Sequence, residues 1–319
     1  MRKMVLRPVV GKIPWRQILF RIGILIGGGI FCYQLFRGAS AFVNSNFTIN
    51  NPVLLVFSLL ILLVVRGFQM TAWHSLMKAV GVPLSWANVA EKYTLTLLSR
   101  YVPGSIWGYI SRAEWMLKEY QVPYGVTNFI SVAEMVLVIT TCVQVIAAYW
   151  VLHTQSWLRI GLAILILGLF FVPWLFIQKL NRSNSINHLM IKMFRLFETR
   201  QIPFSSWIKV AIFNILAWYG FGLAFYWIIQ SIQPNPLTTI DLLTMVYGLS
   251  WLAGFVVVFV PSGLGVREQS ITSLLTSFGI VTNSGSSLAA ILMRLLISTG
   301  ELLWLGFGLI LRHTRQIKK

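Results

Sequence analysis

The sequence predicts an all-α polytopic membrane protein with about six full transmembrane helices, two re-entrant helical hairpins and an inverted repeat. Three observations carry this. First, of 319 residues 57% are hydrophobic and only 11% are charged, with a mean hydropathy of +0.75. A soluble domain carries about a quarter charged residues, so little sequence is left for one. Second, membrane-grade apolar sequence breaks at Pro261, Gly263 and Gly265 and at once presents Arg267 and Glu268. Third, Glu134, Arg294 and Glu301 stand well inside apolar runs.

The elements follow in order. Residues 1–21 are strongly basic, and an apolar run at 17–36 is long enough to span. Gly23 and Gly27 give that span a small-residue face that permits homo-oligomer packing. Ala39-Ser40-Ala41 resembles a signal-peptidase site. Arg37 and the length of the run argue against cleavage, so the basic arm stays cytoplasmic. A loop at 37–50 is external, and a second span covers 52–70, with Arg66, Lys78 and Lys92 marking the return inside.

Residues 86–120 hold Pro103, Gly104, Arg112 and Glu114 amid other charges and read as a re-entrant hairpin. Spans at 125–152 and 157–178 follow. Residues 181–204 form a cytoplasmic amphipathic linker, with Ile186, Met190, Met193 and Phe197 on one helical face. It suits the headgroup region or a packed linker helix. A span at 207–230 leads to an external loop without Lys or Arg. Residues 241–282 form a second hairpin, or alternatively two spans, and a last span at 287–311 leaves a basic cytoplasmic tail. Both termini are therefore cytoplasmic.

Pro103 and Pro261 stand 158 positions apart, and each is followed by Gly and by an Arg/Glu set. This divides one membrane domain, 1–319, into halves at about 1–180 and 205–312, with broken helices at 103–104 and 261–265. The spans preceding the two hairpins run in opposite directions, which makes the repeat inverted. Two unrelated proline kinks are the plainer alternative.

The net charge of +18 flanks apolar runs. It reads as topology and contact with anionic lipid, not nucleic-acid binding. Cys32 and Cys142 lie in apolar runs, and no histidine has metal-ligand spacing to another ligand. Neither a metal nor another cofactor is expected.

Each charge at mid-bilayer costs about 2.5–3.5 kcal/mol on insertion scales. Such groups must pair, face the protein interior or line a wet cavity. Arg294, Ser298 and Glu301 share one face of the last span, and Arg267 and Glu268 are placed to meet it. Glu134 is the acid expected to face the first hairpin. Buried ion pairs that only lock helices are the alternative. The free N–H groups of broken helices suit a phosphate, with Arg112, Arg267 and Arg294 as further donors. Glu134, Glu268 and Glu301 are suited to an amine, to the arginines or to a coupling proton. The expected path for a lipid headgroup thus comprises Pro103, Gly104, Arg112, Glu114, Glu134, Pro261, Gly263, Gly265, Arg267, Glu268, Arg294 and Glu301.

The Pro-Gly-x₇-Arg-x-Glu run at 103–114 and the run from Val260 to Glu268 resemble the membrane domain of lysylphosphatidylglycerol synthase/flippase proteins, over nearly the whole chain. That family often has a Glu soon after Pro-Gly. Here Ile106-Trp107-Gly108 stands there, and the acid comes only at Glu114. The resemblance implies a flippase or related handler of an anionic, aminoacylated or polyprenyl-linked lipid in a bacterial inner membrane. With the chain ending soon after its last span, aminoacyl-lipid synthesis is not expected. The other classes open are a membrane-embedded glycosyl- or phosphotransferase and a scaffold for a lipid-modifying enzyme. The external loops carry almost no acid before Asp241, which disfavours the enzyme. Charges inside spans disfavour the scaffold.

Overall fold

The computed structural model describes residue 36 and residues 49–97, 107–154, 157–182, 200–234, 236–257, 263 and 265–317. Nine helices are named among these residues, with no strand: α1 (Val53–Ala79), α2 (Trp86–Leu95), α3 (Trp107–Tyr120), α4 (Tyr124–His153), α5 (Trp157–Arg182), α6 (Phe204–Ile232), α7 (Ile240–Val256), α8 (Val266–Ser277) and α9 (Asn283–Ile317). Five of them, α1, α4, α5, α6 and α9, are long and apolar enough to cross a membrane. The chain is an all-α polytopic membrane protein. The expected span at 17–36, apart from residue 36, and residues 183–199 of the linker lie outside the described residues.

Local sequence sets the helix starts. Pro52, Pro123 and Pro203 immediately precede α1, α4 and α6. Proline lacks an N–H and holds φ near the helical value, which suits a helix entry. Ser85 caps α2 by accepting from the Asn88 N–H at 3.3 Å. Gly265, at φ +75°, precedes α8, and its N–H donates to the Glu268 carboxylate at 2.7 Å. That is the reach-back half of a capping box.

The spans pack through small residues. α1 lies most extensively against α6. A Cβ at Gly220 would enter the Val65 side chain, and one at Gly222 would strike Thr244 of α7. Apolar lipid supplies no hydrophobic drive between helices, so close backbone approach and dispersion hold them together. Two buried clusters result. One joins Phe225, Val246, Leu275 and Leu288; the other joins Met70, Trp73, Ile130 and Trp207. Most of α5 is exposed and apolar, a face suited to lipid.

α1 continues past the expected end of the second span to Ala79. Arg66 is therefore a mid-helix residue, not a flanking charge. The sequence after it stays apolar through Phe68, Met70, Trp73 and Leu76, and its charge is met by Glu301 of α9.

Gly222→Ala is expected to destabilise the protein by about 1–3 kcal/mol, because the new methyl meets the Ile240 backbone as well as Thr244. Gly67→Ala, with open space around its Cβ position, should be neutral or slightly stabilising. Thermal unfolding in detergent reads both; an unchanged midpoint for Gly222→Ala would contradict the packing.

Candidate functional site

The site begins with single polar residues embedded in apolar helices. On α1, Arg66 and Gln69 are one turn apart, and Arg66 Nη1 donates to Gln69 Oε1 at 2.6 Å. Arg66 Nη2 pairs with Glu301 of α9. One turn along α9, the Trp304 indole N–H donates to the Leu63 carbonyl at 3.1 Å. The ion pair and the indole hydrogen bond together fasten α9 to α1.

A second pair closes the first half. Arg112 of α3 donates from Nη1 to Glu134 Oε2 of α4 at 2.8 Å, and the Tyr93 hydroxyl of α2 donates to Glu134 Oε1 at 3.3 Å. Arg112 is 0% exposed. Its guanidinium lies 4.3 Å from the Tyr93 ring centre, 4.7 Å from Trp73 and 5.6 Å from Tyr109. Aromatic faces carry partial negative charge, so the three rings supply part of the solvation that water would give.

The second half uses tighter backbone. Gly263, at φ +68°, brings the segment before α8 against the end of α7, where a Cβ on it would stand 2.8 Å from the Gly254 Cα. A Cβ on Gly254 would lie 2.5 Å from Arg267 Cγ. Only glycine leaves room there for the Arg267 side chain, whose guanidinium sits 5.7 Å from the Trp251 ring centre. Glu268, besides capping α8, lies 3.6 Å from Arg294 Nε.

These groups surround one cavity of about 180 Å³. Tyr93, Tyr109 and Glu134 line it from the first half, and Trp251, Phe255 and Arg267 from the second. Arg66, Gln69 and Glu301 stand between them, with Asn214 of α6 in the wall. The lining positions fall near the middles of α1, α4, α6 and α9 and where one buried cluster gives way to the other. The polar compartment is therefore at membrane depth.

Of the expected path residues, Glu134, Arg267 and Glu301 line the cavity. Arg112 stands behind Glu134, while Arg294 and Glu268 meet beside Arg267. Gly263 and Gly265 shape the backbone before α8. Glu114 goes elsewhere: it pairs with Lys118 at 2.7 Å, its side chain 39% exposed. Glu134 is the acid that meets Arg112. Pro103, Gly104 and Pro261 lie outside the described residues. Arg66, Gln69 and Asn214 were not singled out for the path. Their signal is a lone polar group inside an apolar run, as in Ile212-Phe213-Asn214-Ile215.

A further cluster was also not foreseen. Lys92 is 0% exposed and bonds Glu91 and Glu119, each at 2.7 Å, with Trp115 under its ammonium at 4.2 Å. The Arg312 guanidinium lies 5.0 Å from the centre of the same Trp115 ring. This network ties α2 and α3 to the far end of α9.

Spans, buried ion pairs and a polar compartment among them define an integral membrane protein that admits polar groups to membrane depth. A family model for the lysylphosphatidylglycerol synthase TM region matches residues 20–306, and the chain belongs to that family. Membership makes it a membrane lipid-handling protein. A search of curated proteins finds no significant match.

Removing one partner of a buried ion pair strands the other. Arg112→Leu and Glu134→Leu should each lower stability by about 3–5 kcal/mol, and the double replacement should recover much of the loss. A double-mutant cycle on detergent unfolding tests this; additive losses would contradict the pairing.

Proposed function

We propose that the protein is a lipid flippase or related lipid transporter that passes a phosphate-bearing headgroup through the cavity between its two broken helices, the acyl or prenyl tails remaining in the bilayer. The observation that carries this reading is that one cavity is lined from both motif regions and holds arginines from α1 and α8. Arginine is suited to a phosphate because its fork of donors matches the oxygens.

The inverted repeat is part of the proposal. In each half a charged residue of the short helix after the break meets a charge on the next long helix: Arg112 with Glu134, and Glu268 with Arg294. The signs are exchanged, but the arrangement is shared. Residues 86–120 and 241–282 would then be the two re-entrant hairpins that rock about a fixed site. The reading places the protein in a bacterial inner membrane with both termini cytoplasmic. Its partners are membrane lipids, with a second copy of the chain or a lipid-modifying enzyme as a further partner. It does not require the chain to be an enzyme.

Reconstituted protein should exchange labelled phosphatidylglycerol, lysyl-phosphatidylglycerol or a polyprenyl phosphate between leaflets. The Arg267→Ala/Arg294→Ala double variant should slow that exchange at least about tenfold, the equivalent of 1.4 kcal/mol. Wild-type rates in a folded variant would refute this path, and no exchange of any lipid by folded wild-type protein would refute the transport reading.

A further inference from the structure

Away from the cavity, α4 ends on His153 and α7 begins with Ile240 and Asp241. The two side chains meet: His153 Nε2 lies 3.6 Å from Asp241 Oδ2. The other ring nitrogen, Nδ1, lies 2.9 Å from the Tyr149 carbonyl oxygen. A carbonyl and an ionised carboxylate only accept hydrogen bonds. Neutral imidazole has a single N–H, so one of its nitrogens would turn a lone pair on an acceptor. Only the imidazolium donates at both positions. His74 gives the contrast. It meets one acceptor, the Leu84 carbonyl at 2.9 Å, which a neutral ring satisfies.

The surroundings of the pair are mixed in charge. Tyr149 stacks on the imidazole with ring centres 4.3 Å apart and presents the negative face of its ring. Each charge also stands at the helix end it complements, a cation at the C-terminus of α4 and an anion in the first turn of α7. Arg159 of α5 is the opposing charge at this corner. Its Nε donates to the Thr154 carbonyl at 3.1 Å, whereas Asp241 faces the ring directly. Tyr219 of α6 and Tyr149 lie within electrostatic reach of Asp241. A phenol ordinarily stays neutral where histidine titrates. Arg66 of α1, Arg112 of α3 and Arg267 and Glu268 of α8 gather at or beside the cavity instead. The His153 side chain is 44% exposed, so the ring can exchange protons with the medium.

We infer that His153 and Asp241 form a proton-operated clasp: protonation of the ring holds the start of α7 against the end of α4, and deprotonation releases it. Histidine ordinarily changes charge between about pH 5 and 8. The pair is therefore complete in acid and is lost as the pH rises through that range. α7 carries Trp251 and Phe255 of the cavity wall, so the closed clasp restrains one side of the cavity. With both termini cytoplasmic, as proposed above, this corner faces outside and reads the external pH.

The test is hydrogen exchange, read by mass spectrometry on the full chain in detergent, at about pH 5.5 and about pH 8, with intrinsic exchange rates divided out. A partly exposed ion pair has a modest effect, so the peptide covering the start of α7 should be about twofold to fivefold better protected at the lower pH. His153→Gln keeps a neutral donor and should show no such difference. Asp241→Asn removes the counter-charge and should show none either. Both variants should still unfold cooperatively, with midpoints near that of wild type at the higher pH, where the clasp is open.

Equal protection of wild type at the two pH values overturns the clasp. A difference that survives in His153→Gln assigns the effect to another group, and one that survives in Asp241→Asn shows that His153 acts without this partner; either result also overturns it. None of these readouts involves lipid exchange, so the transport reading stands or falls separately.

Discussion

A charge in the hydrocarbon of a bilayer must be answered by the protein, because lipid offers neither counter-charge nor hydrogen bond. Arg66 is met by Glu301 and Gln69, Arg112 by Glu134 and three aromatic rings, and Glu268 by Arg294 and the Gly265 N–H. Each arrangement joins residues distant in sequence or across a helix break, so satisfying the charges also positions α3, α8 and α9. The same need fixes the glycines. Arg267 reaches Trp251 only because Gly254 and Gly263 leave the space beside it. Buried ion pairs add little net stability compared with apolar packing. Stability alone therefore does not account for five charged residues around one 180 Å³ cavity, and the proposed passage of a polar headgroup gives them a use.

The cavity also gives the two motif regions a common purpose. The short helices α3 and α8 each bring an arginine to it, Arg112 behind Glu134 and Arg267 directly. The long helices α1, α4, α6 and α9 supply the fixed wall from near their middles. Small-residue packing, as at Gly220 and Gly222, holds that wall close without large apolar side chains between helices. The Lys92 network lies apart from the cavity and couples the first half to the end of α9. In this chain the long helices thus form a frame around one polar space that the short helices α3 and α8 also face.

Much of this was legible in the sequence, for identifiable reasons. Apolar run length located the long helices α4, α5 and α6 to within a few residues, while α9 extends beyond the expected span at both ends. Glu134, Arg294 and Glu301 stood out because each is a charge inside an apolar run; Glu134 and Glu301 line the cavity, and Arg294, partly buried, meets Glu268. Arg66 was misread because a basic residue near the end of a minimal span looks like a flank, and its partner Glu301, which lets the charge stay inside α1, is 235 positions away. Asn214 escaped because one neutral amide barely changes the hydropathy of its run. Glu114 was drawn in by its place in the first motif, yet one helical turn from Lys118 a surface ion pair satisfies it. Motif position carries no information about which face of a short helix turns inward.

The central claim is a hydrated polar compartment at membrane depth, and its most direct test is water access along the cavity wall in proteoliposomes. In a variant without Cys32 and Cys142, single cysteines at Gln69, Val138 and Ile297 line the cavity, while Leu60 and Ile164 are exposed on apolar outer faces. A thiolate forms only in water, so maleimide reactivity reports hydration. The account predicts that the three cavity positions react with a small hydrophilic maleimide and the two outer ones do not. Equal silence at all five positions would mean a dry, closed interior and would contradict it.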